Sequence, residues 1–382
     1  MGLKTDIILS RRPLAGFVAI GLAWATYFAQ MPVIKANVGA SDGEYGFAIL
    51  VSSLGAIMAM WLAPMFLRLF GSVASSISIA VIAVGMLGAG IAPSIPLLIC
   101  GMAFAAVGSG VVDVLANARI SEIEADARRS LMNLNHALYS FAYAGGALVT
   151  GALREAGWAP TSVFLLLACA LVALAITARD PAVTLPESGA AGKIQTAAMH
   201  RLVLLAGLVV MMAFLAEAAS EGWSALHLER TLGGTAGEGA LGPALLGLTM
   251  GIGRLFGHGL ARVIRDTTLM LLATVVSASG ILLAGVAGSV PMALAGFALA
   301  GLGISVVASL SLALIGRVVP PAQRLAAISR ASVIGYGAFF FGPSLMGLVA
   351  EGFGLRMAFV LVAALLAATA LILVPMLARR SA

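Results

Sequence analysis

Apolar runs of about twenty residues recur along the chain from residue 13 to residue 377, parted by short polar stretches. A bilayer core roughly 30 Å thick asks for about 20 mostly apolar residues per helical crossing. On that measure the pattern predicts twelve spans, at 13–36, 44–67, 73–92, 96–121, 130–153, 161–178, 201–226, 240–261, 268–287, 291–315, 326–350 and 356–377. The longest polar connection, RDPAVTLPESGAAGKIQTAAM at 179–199, separates six spans from six. The expected fold is an all-α membrane protein of twelve transmembrane helices, arranged as two pseudo-symmetric six-helix bundles. The bundles occupy 1–178 and 200–382, with 179–199 as a cytoplasmic linker.

Composition agrees with a chain whose surface lies in lipid: 61% of residues are hydrophobic and 10% charged. Forty-five glycines suit membrane helices, where small residues let backbones approach. The net charge of +6 would suit a polyanionic partner, but its distribution argues otherwise. With alternate connections assigned to the cytoplasm, starting from the N-terminus, seventeen of the Lys and Arg residues fall on that side. Lys35, Arg154, Arg230 and Arg356 fall on the other, and Arg254 stays inside a span. This bias places both termini in the cytoplasm and the chain in the cell inner membrane, with no reason to expect nucleic acid. The apolar run after Lys4, Arg11 and Arg12 is too long for a signal peptide and lacks a small-residue cleavage site. Cys100 and Cys169 fall within predicted helices, without metal-ligand spacing, and read as small packing residues. No metal or cofactor is expected. No GxxxxGK[ST] phosphate loop is present, and nothing points to an enzyme.

The halves echo each other at an offset near 195 residues. GALREAGW (151–158) aligns with GLVAEGFG (347–354), setting Glu155 over Glu351. VGSGVVDVLAN (107–117) aligns with LGISVVASLSL (302–312), setting Gly108 over Gly303. Internal repeats of this kind are typical of secondary transporters, in which two bundles rock about a site near the membrane midplane. A channel would more often build its path from several identical subunits; a 6+6 chain fits a monomer.

Five stretches, in order, resemble the major facilitator superfamily, and within it the YbjJ-type inner-membrane group related to fucose-permease-like symporters. They are GSGVVDVLANA (108–118), LMNLNHALYSFAYAGG (131–146), EAASEGWSALHL (217–228), GRLFGHGL (253–260) and GYGAFFFGPSLMGLVAEGFGLR (335–356). The resemblance covers nearly the whole chain and implies a central cavity lined by spans 1, 4, 7 and 10. Two departures stand out. The loop PMFLRLFGS (64–72) lacks the acidic residue expected near Arg68, which removes the usual charge latch there. His258 stands where the related group tends to carry Asp.

Ionisable side chains inside a bilayer are costly and mark function by default. Asp113, Glu217 and Glu221 are the acids that fall clearly within spans. Asp113 and Asn117 are four apart and share one helix face. A desolvated carboxylate takes a proton more readily, as proton coupling requires. Glu217 lies about sixteen residues into its span, roughly 24 Å from the cytoplasmic side, and reads as a cavity carboxylate. Glu221, one turn further and followed by Trp223, reads as a residue of the outer rim, or as a carboxylate sharing a proton with Glu217. Tyr27 and Gln30 share a face and can orient a polar solute, with helix–helix bonding as the plainer role. His136, Arg254 and His258 form a second group, read as an inner gate or proton relay in which Arg254 pairs with an acid such as Asp113 in one state only. The expected function is secondary active transport of a small polar or amphiphilic organic solute by alternating access, coupled to protons, with symport favoured. Proton-driven drug or metabolite efflux is the alternative within transport, and a non-transporting sensor on a transporter scaffold the alternative outside it.

Overall fold

A computed structural model describes residues 2–182, 196–260 and 263–381, and among these it is helical throughout, without a strand. The helices are α1 (Leu3–Asn37), α2 (Asp42–Phe70), α3 (Ala74–Gly90), α4 (Ile95–Ala127), α5 (Met132–Glu155) and α6 (Pro160–Thr177). They continue with α7 (Ala197–Leu226), α8 (Ala236–Leu260), α9 (Asp266–Val286), α10 (Val290–Val318), α11 (Pro321–Ala368) and α12 (Val374–Ser381). The run α11 contains two crossings. At Gly354 its backbone takes φ 83° and ψ 162°, a conformation that glycine adopts without steric cost. The arm before Gly354 crosses once. The arm after it crosses again, passing through a π-turn at Thr369–Leu373 into α12.

Local chemistry explains where helices start. Ser41 begins α2 with a capping box: its hydroxyl accepts from Glu44 N–H at 3.2 Å, and its own N–H donates to Glu44 Oε2 at 2.9 Å. Thr235 and Glu238 repeat the arrangement at α8, at 3.2 and 2.8 Å. Proline occupies the first turn of α4, α6, α10 and α11, where its missing N–H costs nothing. Several helices outrun the predicted spans; α1 starts at Leu3 and α4 reaches Ala127. Hydropathy reports the apolar portion of a helix, whereas these ends are polar and held by ion pairs such as Arg129–Asp6 and Arg119–Glu122.

In the first half α4 packs on α2 and α3, α3 on α6, and α1 on α4, α5 and α6. In the second, α10 packs on α7, α8 and α9, and α11 on α7 and α9. The internal repeat shows in the closest approaches. A Cβ on Gly101 would lie 2.5 Å from the Ala89 nitrogen, and one on Gly296 would lie 2.5 Å from the Ala284 nitrogen. Gly108 stands likewise against the Ser78 carbonyl (2.6 Å) and Gly303 against the Ala273 carbonyl (2.5 Å). The halves meet where α5 lies on α8, α2 on the first arm of α11, and α1 on α7 and α8. Large apolar side chains such as Trp61 (82% exposed), Phe353 (77%) and Ile176 (76%) cover the outside, as a lipid-facing surface requires. Cys100 and Cys169 belong to that exposed surface, not to helix packing as the sequence had indicated.

Both chain ends lie at one face of the bundle, together with the ion pairs Arg12–Asp180, Arg119–Asp180, Arg129–Asp6 and Arg317–Asp266. Two of these join residues of the same half, and the two at Asp180 tie the start of the linker to the first half. At the opposite face the pairs cross between halves: Arg154 with Glu229 and Arg230 with Asp42. Ser344 Oγ also donates to the Gly46 carbonyl there at 3.1 Å. The conformation is therefore tied shut at the face opposite the termini.

Candidate functional site

The polar interior is built on α4, α5, α7 and α8. On α4, Gly108 and Gly110 let α3 and α2 come close, since a Cβ on Gly110 would sit 2.5 Å from Ala59 Cβ. One turn beyond Gly110, Asp113 is half-buried. Its Oδ1 accepts from Asn117 Nδ2 at 3.0 Å, so the two residues act as one polar group, and among the described residues no cation pairs with it.

Arg254 of α8 gathers the other half of the site. Its Nη2 lies 3.4 Å from Glu217 Oε1 on α7, while Nη1 donates to Ser140 Oγ at 2.5 Å and to the His136 carbonyl at 3.4 Å on α5. The guanidinium thus spans the boundary between the halves. Both side chains of the ion pair are largely buried, at 18% and 9% exposure, so neither is accommodated without the other or water. The partner in this conformation is Glu217, not the Asp113 pairing expected for one state. The His136 ring packs on Phe17, with centroids 4.8 Å apart. His258 lies within α8, but its side chain is outside the described residues.

Glu221 lies one turn beyond Glu217. It is 8% exposed and Trp223 fully buried, with the indole edge-on to Tyr45 at 5.8 Å. The outer-rim reading of this pair is not met: α7 continues through a π-turn, His227–Thr231, before the chain reaches the surface. That turn shifts the register so that consecutive residues Glu229 and Arg230 both reach the first half, to Arg154 and Asp42.

The Tyr27 hydroxyl shares a hydrogen bond with Tyr45 at 2.8 Å and donates to Met102 Sδ at 2.9 Å, tying α1 to α2 and α4. Gln30 is fully buried, and both atoms of its amide lack a hydrogen-bond partner among the described residues. The same holds for the Tyr143 hydroxyl, Ser220 Oγ, Ser224 Oγ and Trp223 Nε1. An unmet buried polar atom costs about 1–3 kcal/mol, so this group is available to a solute or to water.

Sequence reasoning named His136 on α5 but overlooked Tyr139, Ser140 and Tyr143 of that helix and the serines of α7. Both had a readable signal. Glu217, Ser220, Glu221 and Ser224 fall at i, i+3, i+4 and i+7, a polar stripe on one face of an apolar helix, and His136, Tyr139, Ser140 and Tyr143 repeat it on α5. An aromatic group on α7 and α11 was missed as well: Phe214 stacks on Tyr336 at 5.6 Å and lies 5.1 Å from Phe339. Among the described residues no cluster of His, Cys, Asp and Glu has the arrangement of a metal site.

Apolar helices assembled about an interior of buried ionisable groups, in two repeated halves, define a multi-pass membrane transport protein. The chain belongs to the Major Facilitator Superfamily, whose family model matches residues 14–268 and 206–382. It is similar to the uncharacterized transporter y4wD of Sinorhizobium fredii, 27% identical over 371 residues covering 95% of this chain and 96% of that protein. Membrane protein MosC of Rhizobium meliloti is 26% identical over 359 residues, 91% of this chain and 85% of that one. Among solved structures, a bacterial homolog of the human lysosomal transporter Spinster, inward-facing and unoccupied, superposes with a TM-score of 0.75. It is 16% identical and covers 100% of this chain and 98% of its own. A D-xylose–proton symporter superposes at 0.73, also at 16% identity, over 97% of each chain. At these identities the structural likeness shows the fold alone.

Proposed function

We propose that the protein is a proton-coupled symporter that carries a small polar or amphiphilic organic solute across the inner membrane by alternating access. The observation that carries this reading is the asymmetry of the interior acids. Glu217 is held by Arg254, which also binds α5 across the boundary between halves, whereas Asp113 has Asn117 as its partner and, among the described residues, no cation. A carboxylate without a counter-cation is open to exchange of a proton, and the breaking of the Arg254 contacts couples any change at Glu217 to the separation of α5 from α8. The six-helix bundles 1–178 and 200–382 are the rocking bodies, joined by a cytoplasmic linker. With the Lys- and Arg-rich terminus-bearing face in the cytoplasm, the conformation described here is the inward-facing one. His136 and Arg254 act at the gate, and Glu221, Gln30, Tyr143 and Ser220 offer hydrogen bonds to the solute.

A thermal-shift screen of the purified protein against sugars, organic acids, amines and drugs at two pH values identifies a solute. Uptake into proteoliposomes under an imposed proton gradient then tests the coupling. Asp113→Asn and Glu217→Gln should each abolish gradient-driven accumulation while the solute still shifts the melting temperature. Accumulation like wild type in both variants would sink the assignment. One observation favours the efflux alternative: the Phe214–Tyr336–Phe339 group suits an aromatic or aliphatic organic cation. Proton release from loaded vesicles on addition of an amine separates antiport from symport.

A further inference from the structure

The halves meet at the face opposite the termini through a device that occurs twice. Helix α2 starts Ser41-Asp42-Gly43-Glu44, and α8 starts Thr235-Ala236-Gly237-Glu238. Both carry the same capping box, in which hydroxyl and glutamate serve the first and fourth of these N–H groups. In both, a glycine N–H between them is left for another acceptor. Gly43 donates to Glu351 Oε2 at 3.0 Å, and Gly237 donates to Glu155 Oε2 at 2.7 Å. Glu155 is the last residue of α5, and Glu351 occupies the aligned position of the first arm of α11. Each carboxylate therefore caps a helix of the other half.

The chemistry is that of an anion on a helix N-terminus, where unpaired N–H groups and the helix dipole concentrate about half a positive charge. Glycine at that position leaves room: a Cβ on Gly237 would come within 3.2 Å of Glu155 Oε2. Neither carboxylate needs a cation, so a search for ion pairs passes over both. Both contacts are exposed to solvent, so water can take over each partner when the contact opens.

We propose that Glu155 and Glu351 form a paired helix-cap latch, duplicated by the internal repeat, that holds this face closed and is released as a unit when the halves part. The proposal rests on the alternating-access reading above. Its test uses the full-length protein in nanodiscs without solute, in a Cys100→Ser/Cys169→Ser background. Spin labels are placed at Ala159→Cys and Ser289→Cys on the latched face, and at Ser130→Cys and Leu325→Cys on the other. Pulsed electron resonance reads the closed and open populations. Glu155→Ala and Glu351→Ala should each lower the closed-to-open ratio about two- to five-fold, as is typical of a carboxylate at a helix N-terminus, and the double variant by the product. A double variant with wild-type populations, or a response confined to one of the two sites, overturns the latch. If wild type itself shows one fixed distance at both faces at every pH and in every variant, the rocking reading falls and the latch with it.

Discussion

The contact between α2 and the first arm of α11 makes a sharp demand on Gly46. A methyl group there would lie 2.7 Å from the Pro343 carbonyl oxygen, 3.1 Å from Gly347 Cα and 3.2 Å from Ser344 Cα. Ordinary contact begins at 3.4 Å, so Gly46→Ala requires a retreat of 3.4 − 2.7 = 0.7 Å. All three neighbours are backbone atoms, and no rotamer change relieves them. Overpacking of this kind costs about 1–3 kcal/mol. Because α2 and α11 belong to different halves, the cheapest relief is to part the halves at this face, leaving the packing inside each half intact. At about 1.4 kcal/mol per factor of ten, the closed-to-open ratio should fall roughly five-fold to 150-fold. The label pair at Ala159→Cys and Ser289→Cys measures it directly. Gly145→Ala is the control, since a Cβ there meets nothing within 4 Å. Unchanged populations in Gly46→Ala, with a lowered melting temperature, would show that the strain is absorbed within a half and refute the reasoning.

Three further outcomes are expected. Arg154 is 5% exposed, binds Glu229 at 2.7 and 2.9 Å and also serves the Ala29 carbonyl. Arg154→Met should destabilise the closed state by about 3–5 kcal/mol, and Glu229→Gln in the same chain should recover part of that; a double variant no better than the single contradicts it. Gly101→Leu and Gly296→Leu press on backbone within one half, so they should lower the melting temperature and the yield without moving the open and closed populations. Asp42 is pushed up by burial, but hydrogen bonds and charge from Arg230 and Lys35 outweigh that and hold its carboxyl below the ordinary 3.8. A group lowered in this way stabilises the closed face above its ordinary value and loses the effect only as pH falls through the lowered one. Populations should therefore not respond through Asp42 between pH of about 8 and about 5. A transition near pH of about 6 that Asp42→Asn abolishes would contradict this.

Much of this was legible in the chain. Alternation of apolar runs and short polar links specifies helices that cross a bilayer, because lipid accepts few other backbone arrangements. The repeat near 195 residues foretold the matched environments of Gly108 and Gly303, and of Glu155 and Glu351. Intramembrane charge picked out Asp113, Glu217 and Arg254 for the same reason: their burial has a cost that packing alone does not offset. Asp113 and Asn117 were paired by their four-residue spacing, a local relation that any helix enforces.

What the sequence could not supply were relations between helices far apart in the chain. Helical spacing sets Glu217 and Arg254 on faces of their own helices, but 37 residues separate them, and only the docking of α7 on α8 makes them a pair. That Glu229 and Arg230 both reach the first half turned on a π-turn at His227–Thr231, a single-residue change of register that hydropathy does not register. The cross-half caps depend on a carboxylate meeting bare N–H groups, and backbone donors leave no mark in the composition. Sequence by itself determined that this chain is a multi-span, twice-repeated membrane protein with acids in its interior, because the solvent and the local helix geometry dictate as much. Which acid meets Arg254, which face is shut, and which residues hold it shut were decided by how the halves dock, since those contacts exist only once distant helices are brought together.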